Sequence, residues 1–111
     1  MSTATSVRQE FLRRTIGTRL KKARELAEMT QKEVADRLGV EYFTFVSQME
    51  NGRIAPPPSM WRKLADILGL DQAEFITHCL YNLYPEVYGA LYGKKARVGV
   101  MEQVRESLKA E

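Results

Sequence analysis

The sequence predicts an all-α fold. Apolar residues recur at three- and four-residue steps in most segments, which is the spacing of one face of an amphipathic helix. Helix-start signals precede several of these segments, and glycine follows them, as is typical where helices end. Residues 42–50 contain enough aromatic and β-branched residues to allow a strand, but their apolar residues keep the helical spacing. We therefore predict helices throughout.

Length and composition place limits on the protein class. The 111 residues are 44% hydrophobic and 28% charged, which predicts one small folded domain with some attached structure. The single cysteine, Cys79, excludes an intrachain disulfide and a cysteine-based zinc cluster. No apolar run approaches ~18 residues, and residues 1–6 lack a secretory signal. We expect a cytoplasmic protein associated with the nucleoid, without a membrane span, a metal or another cofactor.

Charge is distributed unevenly along the chain. Residues 1–63 contain 12 basic and 7 acidic side chains, whereas residues 64–93 contain no basic and 4 acidic ones. A basic half is typical of a protein that binds an anionic partner such as nucleic acid. Solvated helix faces also carry charge, and the excess is small, so charge alone does not assign a partner.

The first two predicted helices carry clear signals. An apolar stripe runs from Val7 to Ala27, with Gly17 lowering the helix propensity in its middle. The second helix spans Thr30–Leu38. Thr30 and Glu33 have the spacing of a capping box, and Gly39 ends the helix.

The third predicted helix spans residues 42–50. Tyr42, Val46 and Met49 form its apolar face, and Asn51-Gly52 is a typical helix stop. The opposite face carries mainly short hydrogen-bonding side chains. Its members are Phe43, Thr44, Ser47, Gln48 and Asn51.

Prolines and caps organise the next segment. Residues 53–58 end in three prolines and predict a stiff extended connection. Ser59 is predicted to cap a helix that ends at Gly69. Asp71 and Glu74 then form a second capping-box pattern at the start of another helix.

Residues 30–50 together predict a helix-turn-helix unit, in which two short helices are joined by a tight turn, here Gly39-Val40-Glu41. The apolar inner faces fix the angle between the helices. The polar outer face of the second helix is free to enter a DNA major groove.

The segments TQKEVADRLGV and VSQMENGR, followed by a proline-rich link and WRKLADILGL, resemble the phage-repressor (Cro-like, Xre) family of helix-turn-helix proteins. The resemblance covers about residues 16–70 and implies a five-helix, lambda-repressor-like DNA-binding domain. Between Val40 and Gly52 the chain has one residue more than most members. Either the turn or the start of the recognition helix is therefore lengthened.

The resemblance also implies site residues. Those matching base-reading positions are Phe43, Thr44, Ser47 and Gln48. Those matching phosphate contacts are Gln31, Lys32, Asn51, the amide of Gly52, and Arg53. Arg24 and Glu50 match an internal pair that ties the first helix to the third.

Three of these assignments have plainer alternatives. Phe43 is equally compatible with packing in an interface. Gln31 has the alternative of a solvated first-turn residue, and Arg24–Glu50 that of a surface pair of little energetic value. Gln48 is the firmest assignment, because glutamine can bond adenine with two hydrogen bonds.

We predict a DNA-binding domain at residues 7–83 and a helical extension at residues 84–111. Pro85 is placed to open a short helix, and a last helix is predicted from Val98 to Leu108. The extension begins with more apolar surface than a small domain needs, which predicts a homodimer interface. Its residues are Tyr84, Val87, Tyr88, Leu91 and Tyr92. Tyrosines also stack on bases, but the acidic surroundings favour packing or dimerisation. Residues 94–111 either extend the dimer or form an arm over the DNA backbone.

His78 and Cys79 are neighbours in the chain, but adjacent residues of a helix point about 100° apart. We interpret them as a buried thiol beside a half-exposed imidazole. The sequence shows no set of nucleophile, base and metal ligands, so we expect no enzyme and no small-molecule effector.

The function predicted from the sequence is a double-stranded DNA-binding transcriptional regulator, most simply a dimeric repressor on a palindromic operator. A second hypothesis is the DNA-binding antitoxin of a toxin–antitoxin pair. A third is a protein-interaction adaptor that has lost DNA binding.

Overall fold

The computed structural model describes residues 3–93, with side chains from Val7 onward, and Arg105. All regular structure in this part of the chain is helical, so the all-α prediction is confirmed. The predicted helix from Val98 to Leu108 and the predicted arm from Lys94 lie outside the described residues, apart from Arg105.

The helices follow one another with short connections. They are α1 (Thr3–Leu26), α2 (Gln31–Leu38), α3 (Thr44–Glu50), a 3₁₀ turn (Pro58–Met60), α4 (Trp61–Leu68) and α5 (Gln72–Leu83). Residues 85–93 are also helical and are called α6. The long α1 packs against both α3 and α5, α2 packs against α3, and α4 packs against α5. Side chains from α1 to α5 share one core, which includes Ile16, Val34, Met49, Leu64 and Phe75.

The first helix continues through Gly17. This position has room only for a residue without a side chain, because the end of α3 passes close to it. A β-carbon on Gly17 would lie 2.3 Å from the Met49 carbonyl oxygen and 2.5 Å from that of Glu50. Glycine inside a helix costs about 0.5–1 kcal/mol relative to alanine. That cost is offset here by the close crossing of α1 over the end of α3.

The capping box of α2 is confirmed. Thr30 Oγ1 accepts a hydrogen bond from the Glu33 amide at 3.1 Å, and the Glu33 carboxylate accepts one from the Thr30 amide at 3.2 Å. Gly39 follows with a φ of 78°, in the left-handed region that favours glycine at a helix end.

The other two predicted caps differ from the pattern. Asp71 accepts from the Glu74 amide at 2.9 Å, but the Glu74 carboxylate pairs with Arg19 instead of reaching back. The predicted Ser59 cap is wrong, because Pro58 opens a 3₁₀ turn that contains Ser59, and α4 starts after Met60 without a side-chain cap.

A buried polar cluster ties α1 to α5. Arg19 is paired with Glu74, and its Nη1 lies 2.8 Å from His78 Nδ1. The guanidinium also lies over the Phe75 ring, 5.5 Å from its centroid. The side chain of Arg19 is only 4% exposed.

His78 is buried within this cluster, so the prediction of a half-exposed imidazole is wrong. Because the guanidinium can only donate, Nδ1 of His78 accepts, and the ring is neutral. Burial, and secondarily the charge of Arg19, lowers the pKa of His78 to about 4. Burial raises the pKa of the Cys79 thiol to about 12, which makes Cys79 a packing residue.

We predict that Gly17→Ala lowers the free energy of unfolding by about 1–3 kcal/mol, because the methyl group forces α1 and α3 apart. Gly89→Ala is the control, since Gly89 is also helical and nothing lies within 4 Å of its β-carbon position. The control should be neutral or slightly stabilising. Urea denaturation measures both. Equal stability of the two variants would show that the close crossing does not exist.

We also predict that stability falls as the pH drops from 7.5 to 5. The folded protein holds the pKa of His78 near 4, below the ordinary 6.5, so in this window the unfolded chain binds a proton that the folded chain does not. The loss should be about 2 kcal/mol. The chain has one histidine, so His78→Gln should remove most of it. Urea denaturation at several pH values tests this, and an unchanged pH dependence in His78→Gln would contradict it.

Candidate nucleic-acid interface

The turn between α2 and α3 is longer than predicted. It runs from Gly39 to Phe43, and α3 begins at Thr44 rather than at Tyr42. The additional residue that the resemblance implies would therefore lie in the turn and not in α3. Tyr42 and Phe43 precede the helix, and both rings are exposed. Tyr42, predicted on the apolar face of the helix, does not pack into the core.

The third helix separates a buried face from an exposed polar one. Val46, Met49 and Glu50 are buried. Thr44, Gln48 and Asn51 are exposed and follow one another at steps of four and three residues, so they form one stripe. The side chains of Thr44 and Gln48 have no hydrogen-bond partner among the described residues. Their polar groups are therefore available to a ligand.

Ser47 lies beside this stripe and is half-buried. Its hydroxyl accepts a hydrogen bond from Asn51 Nδ2 at 3.4 Å. Ser47 is therefore less available for base contact than Thr44 or Gln48.

The Arg24–Glu50 pair fixes the position of α3. Arg24 Nε donates to Glu50 Oε2 at 2.6 Å, and Arg24 Nη2 donates to Oε1 at 3.1 Å. A further bond from Arg24 Nη1 reaches the Met29 carbonyl at 2.9 Å. The hydrogen bond to Glu50 raises the pKa of Arg24. The Glu50 side chain is 2% exposed, so this is a buried pair and not a surface one.

Gln31 joins the same network. Its Nε2 donates to Glu50 Oε1 at 3.0 Å, so α2 is tied to the ion pair that links α1 and α3. Gln31 is half-buried, not a freely solvated first-turn residue. The side-chain amide nitrogen of Gln31 carries a second N–H, which does not take part in this hydrogen bond.

The structure contradicts the prediction that the Gly52 amide contacts a phosphate. Gly52 is buried, its N–H donates to the Met49 carbonyl at 3.2 Å, and its carbonyl accepts from Arg13 Nε at 3.1 Å. A β-carbon at Gly52, whose φ is 74°, would lie 2.5 Å from Arg14 Cγ. The first helix therefore covers this residue, and a phosphate cannot reach its amide.

The other predicted phosphate-contact residues are accessible. Asn51 and Arg53 are exposed immediately after α3. Lys32 is exposed on the first turn of α2, with its Nζ 3.4 Å from Asp36 Oδ2. An exposed pair of this kind is weak and leaves the lysine free to exchange partners.

An open cleft of about 710 Å³ lies between α1 and the segment after α3. Four basic residues line it, namely Arg13, Arg14, Lys21 and Arg53. The remaining lining residues are Glu10, Thr18, Glu50, Asn51 and Gly52. Sequence reasoning missed the three basic residues from α1. The excess of basic residues in the N-terminal half indicated an anionic partner. It did not predict that the basic residues of α1 lie close to Arg53 in space.

Most of the predicted dimer residues are exposed. Tyr84, Val87, Leu91 and Tyr92 lie at the surface of the chain. Tyr88 is fully buried, with its ring centroid 5.3 Å from that of Tyr81 and 5.0 Å from that of Tyr92. The prediction that Tyr88 faces a partner is wrong, because it packs within its own chain.

Two further findings concern other classes of site. Among the described residues, no helix combines the length and apolar character needed to cross a membrane. The same part of the chain contains no group of three or more metal-ligating side chains.

An all-helical domain with a polar stripe on the second helix of a helix-turn-helix unit belongs to a class that binds DNA. The sequence model of the family described as "helix-turn-helix domain" matches residues 15–75, which is more than half of the chain. The chain belongs to this family. No curated protein and no solved structure matches it. The matched range begins inside α1, so residues 3–14 of that helix lie outside it.

Proposed function

We propose that the protein is a sequence-specific transcriptional regulator that acts as a repressor and binds a palindromic operator as a homodimer. The observation that carries the proposal is the exposed polar stripe of α3. Within this stripe the side chains of Thr44 and Gln48 have no hydrogen-bond partners among the described residues, while the other face of α3 is held by Glu50 and by the crossing at Gly17.

In this proposal α3 lies in the major groove, which is about 12 Å wide. Thr44 and Gln48 contact base edges, and Gln48 pairs with an adenine through two hydrogen bonds. Phe43 is exposed at the start of α3, where it contacts a thymine methyl group. Ser47 adds a contact at the edge of the stripe.

Phosphate contacts set the register of the helix and carry no sequence information of their own. We assign them to Gln31, Lys32, Asn51 and Arg53, which lie at the start of α2 and directly after α3. Lys32 and Arg53 supply charge. Gln31 and Asn51 supply amide N–H groups.

The homodimer forms through the exposed apolar residues Tyr84, Val87, Leu91 and Tyr92. Exposed apolar clusters in small proteins mark interaction sites. A two-fold dimer places two recognition helices one DNA turn apart, at about 34 Å, and so reads a palindrome. The acidic surface of residues 64–93 then faces away from the phosphates. Repression follows because the bound dimer occludes the DNA.

We predict that Gln48→Ala loses about 1–3 kcal/mol of binding free energy on the operator and little on random DNA. The operator is first obtained by repeated selection of bound duplexes from a random-sequence pool. Gln72→Ala is the control, because Gln72 bonds Asp66 within the chain. Fluorescence anisotropy measures both affinities. An equal loss on both DNAs would show that Gln48 does not read bases.

We predict that Leu91→Glu converts the dimer to a monomer at micromolar concentration and weakens operator binding by at least about tenfold, because the two half-sites are no longer bound together. The matched control is Leu26→Glu. Leu26 is 63% exposed and Leu91 is 64% exposed, but Leu26 lies outside the proposed interface. Light scattering gives the mass. A monomeric parent protein, or a dimeric Leu91→Glu variant, would refute this interface.

A further inference from the structure

The cleft between α1 and the segment after α3 has an uneven charge. Its four basic side chains face two carboxylates, and one of these, Glu50, is already neutralised by Arg24. The other, Glu10, lies 3.8 Å from Arg14 in a pair whose members are both more than half exposed. Such a pair is weak in water. The cleft therefore carries a net positive charge that is not satisfied within it.

We infer that this cleft holds the phosphates of a DNA strand beside the recognition helix, so that the N-terminal half of α1 extends the DNA contact beyond the helix-turn-helix unit. The inference rests on the proposed function. It assigns phosphate contacts to Arg14 and Lys21 of α1, with Arg53 on the opposite wall.

Continuity with the recognition helix supports this occupant. Asn51 belongs both to the exposed stripe of α3 and to the lining of the cleft. A strand that flanks α3 in the major groove would pass Asn51 before it reaches α1. The cleft is therefore a continuation of the DNA-facing surface.

The geometry of α1 suits a phosphate chain. Arg14, Thr18 and Lys21 are separated by four and three residues, so they lie in one line along the helix. The line is about 10 Å long, which corresponds to the rise of roughly three base pairs along the duplex axis. Arg13 is held on the Gly52 carbonyl, which keeps α1 against the loop.

The chemistry of the cleft indicates duplex backbone and not base readout. Three of its basic side chains, Arg14, Lys21 and Arg53, are exposed, which suits several phosphates in water rather than one tightly enclosed anion. The contact is therefore independent of DNA sequence. It adds affinity and salt dependence to binding without changing the preferred operator.

Two adjacent lysines of α1 give a matched test. Lys21 lines the cleft, whereas Lys22 lies on a different groove beside His78, and both are exposed. Lys21→Gln and Lys22→Gln make the same change in net charge on the same helical turn. The probe is a labelled random-sequence duplex of about 25 base pairs, titrated with the full chain from about 50 to about 200 mM salt.

Lys21→Gln should reduce the slope of log affinity against log salt by about 0.9 and weaken binding roughly five- to tenfold at 100 mM salt. Lys22→Gln should leave the slope unchanged and the affinity within about twofold. Lys21→Arg should restore the slope, because it restores the charge.

A second pair of variants tests for a gain. Glu10→Gln removes the weakly paired carboxylate from the cleft and should tighten duplex binding roughly two- to fivefold. Asp66→Asn in α4 removes the same charge outside the cleft and keeps an oxygen that can accept from Gln72. It should change binding less than twofold.

These measurements distinguish a failure of the proposed DNA-binding function from a failure of the phosphate assignment to the cleft. If the parent protein binds no duplex in a salt-dependent way, the proposed function itself is wrong. If the parent binds but Lys21→Gln matches Lys22→Gln, or Glu10→Gln matches Asp66→Asn, the cleft does not hold phosphate, and the DNA-binding function stands.

Discussion

The close crossing of α1 over the end of α3 is the contact on which the rest of the structure depends. Two glycines make it possible, because Gly17 receives the carbonyl groups that end α3 and Gly52 receives the backbone of α1 at Arg14. Interiors are packed too closely for these positions to accept a β-carbon without movement. The helix α3, only seven residues long, therefore takes its orientation from a much longer helix.

The buried pair of Arg24 and Glu50 locks this arrangement. Burying two charges is costly, and such pairs contribute little net stability even when their hydrogen bonds are good. Removing one partner is much worse, about 3 kcal/mol or more, because the other charge is left buried and unpaired. With Gln31 also on Glu50, the network makes α1, α2 and α3 one body. Its value lies in fixing where the exposed stripe of α3 points.

The first helix is long enough to contact both α3 and α5. A helix of 24 residues is about 36 Å long. One part crosses α3, while Arg19 pairs with Glu74 and contacts His78 in α5. Arg19 Nε and Glu74 Oε1 are buried without partners among the described atoms, so this second cluster is not fully satisfied. It nevertheless ties α5, and through it the proposed dimer surface, to α1 and so to the proposed DNA-binding surface.

The sequence by itself determined the helical class, the capping box at Thr30, the helix-turn-helix unit and the polar residues of α3. These are local properties, set by hydrogen bonds and periodicity within a few residues. Only the tertiary structure decided that Gly52 is covered, that Tyr88 is buried, and that basic residues of α1 converge with Arg53. Each depends on which helix lies against which, and residues 39 positions apart, such as Arg13 and Gly52, leave no periodic signal of their contact.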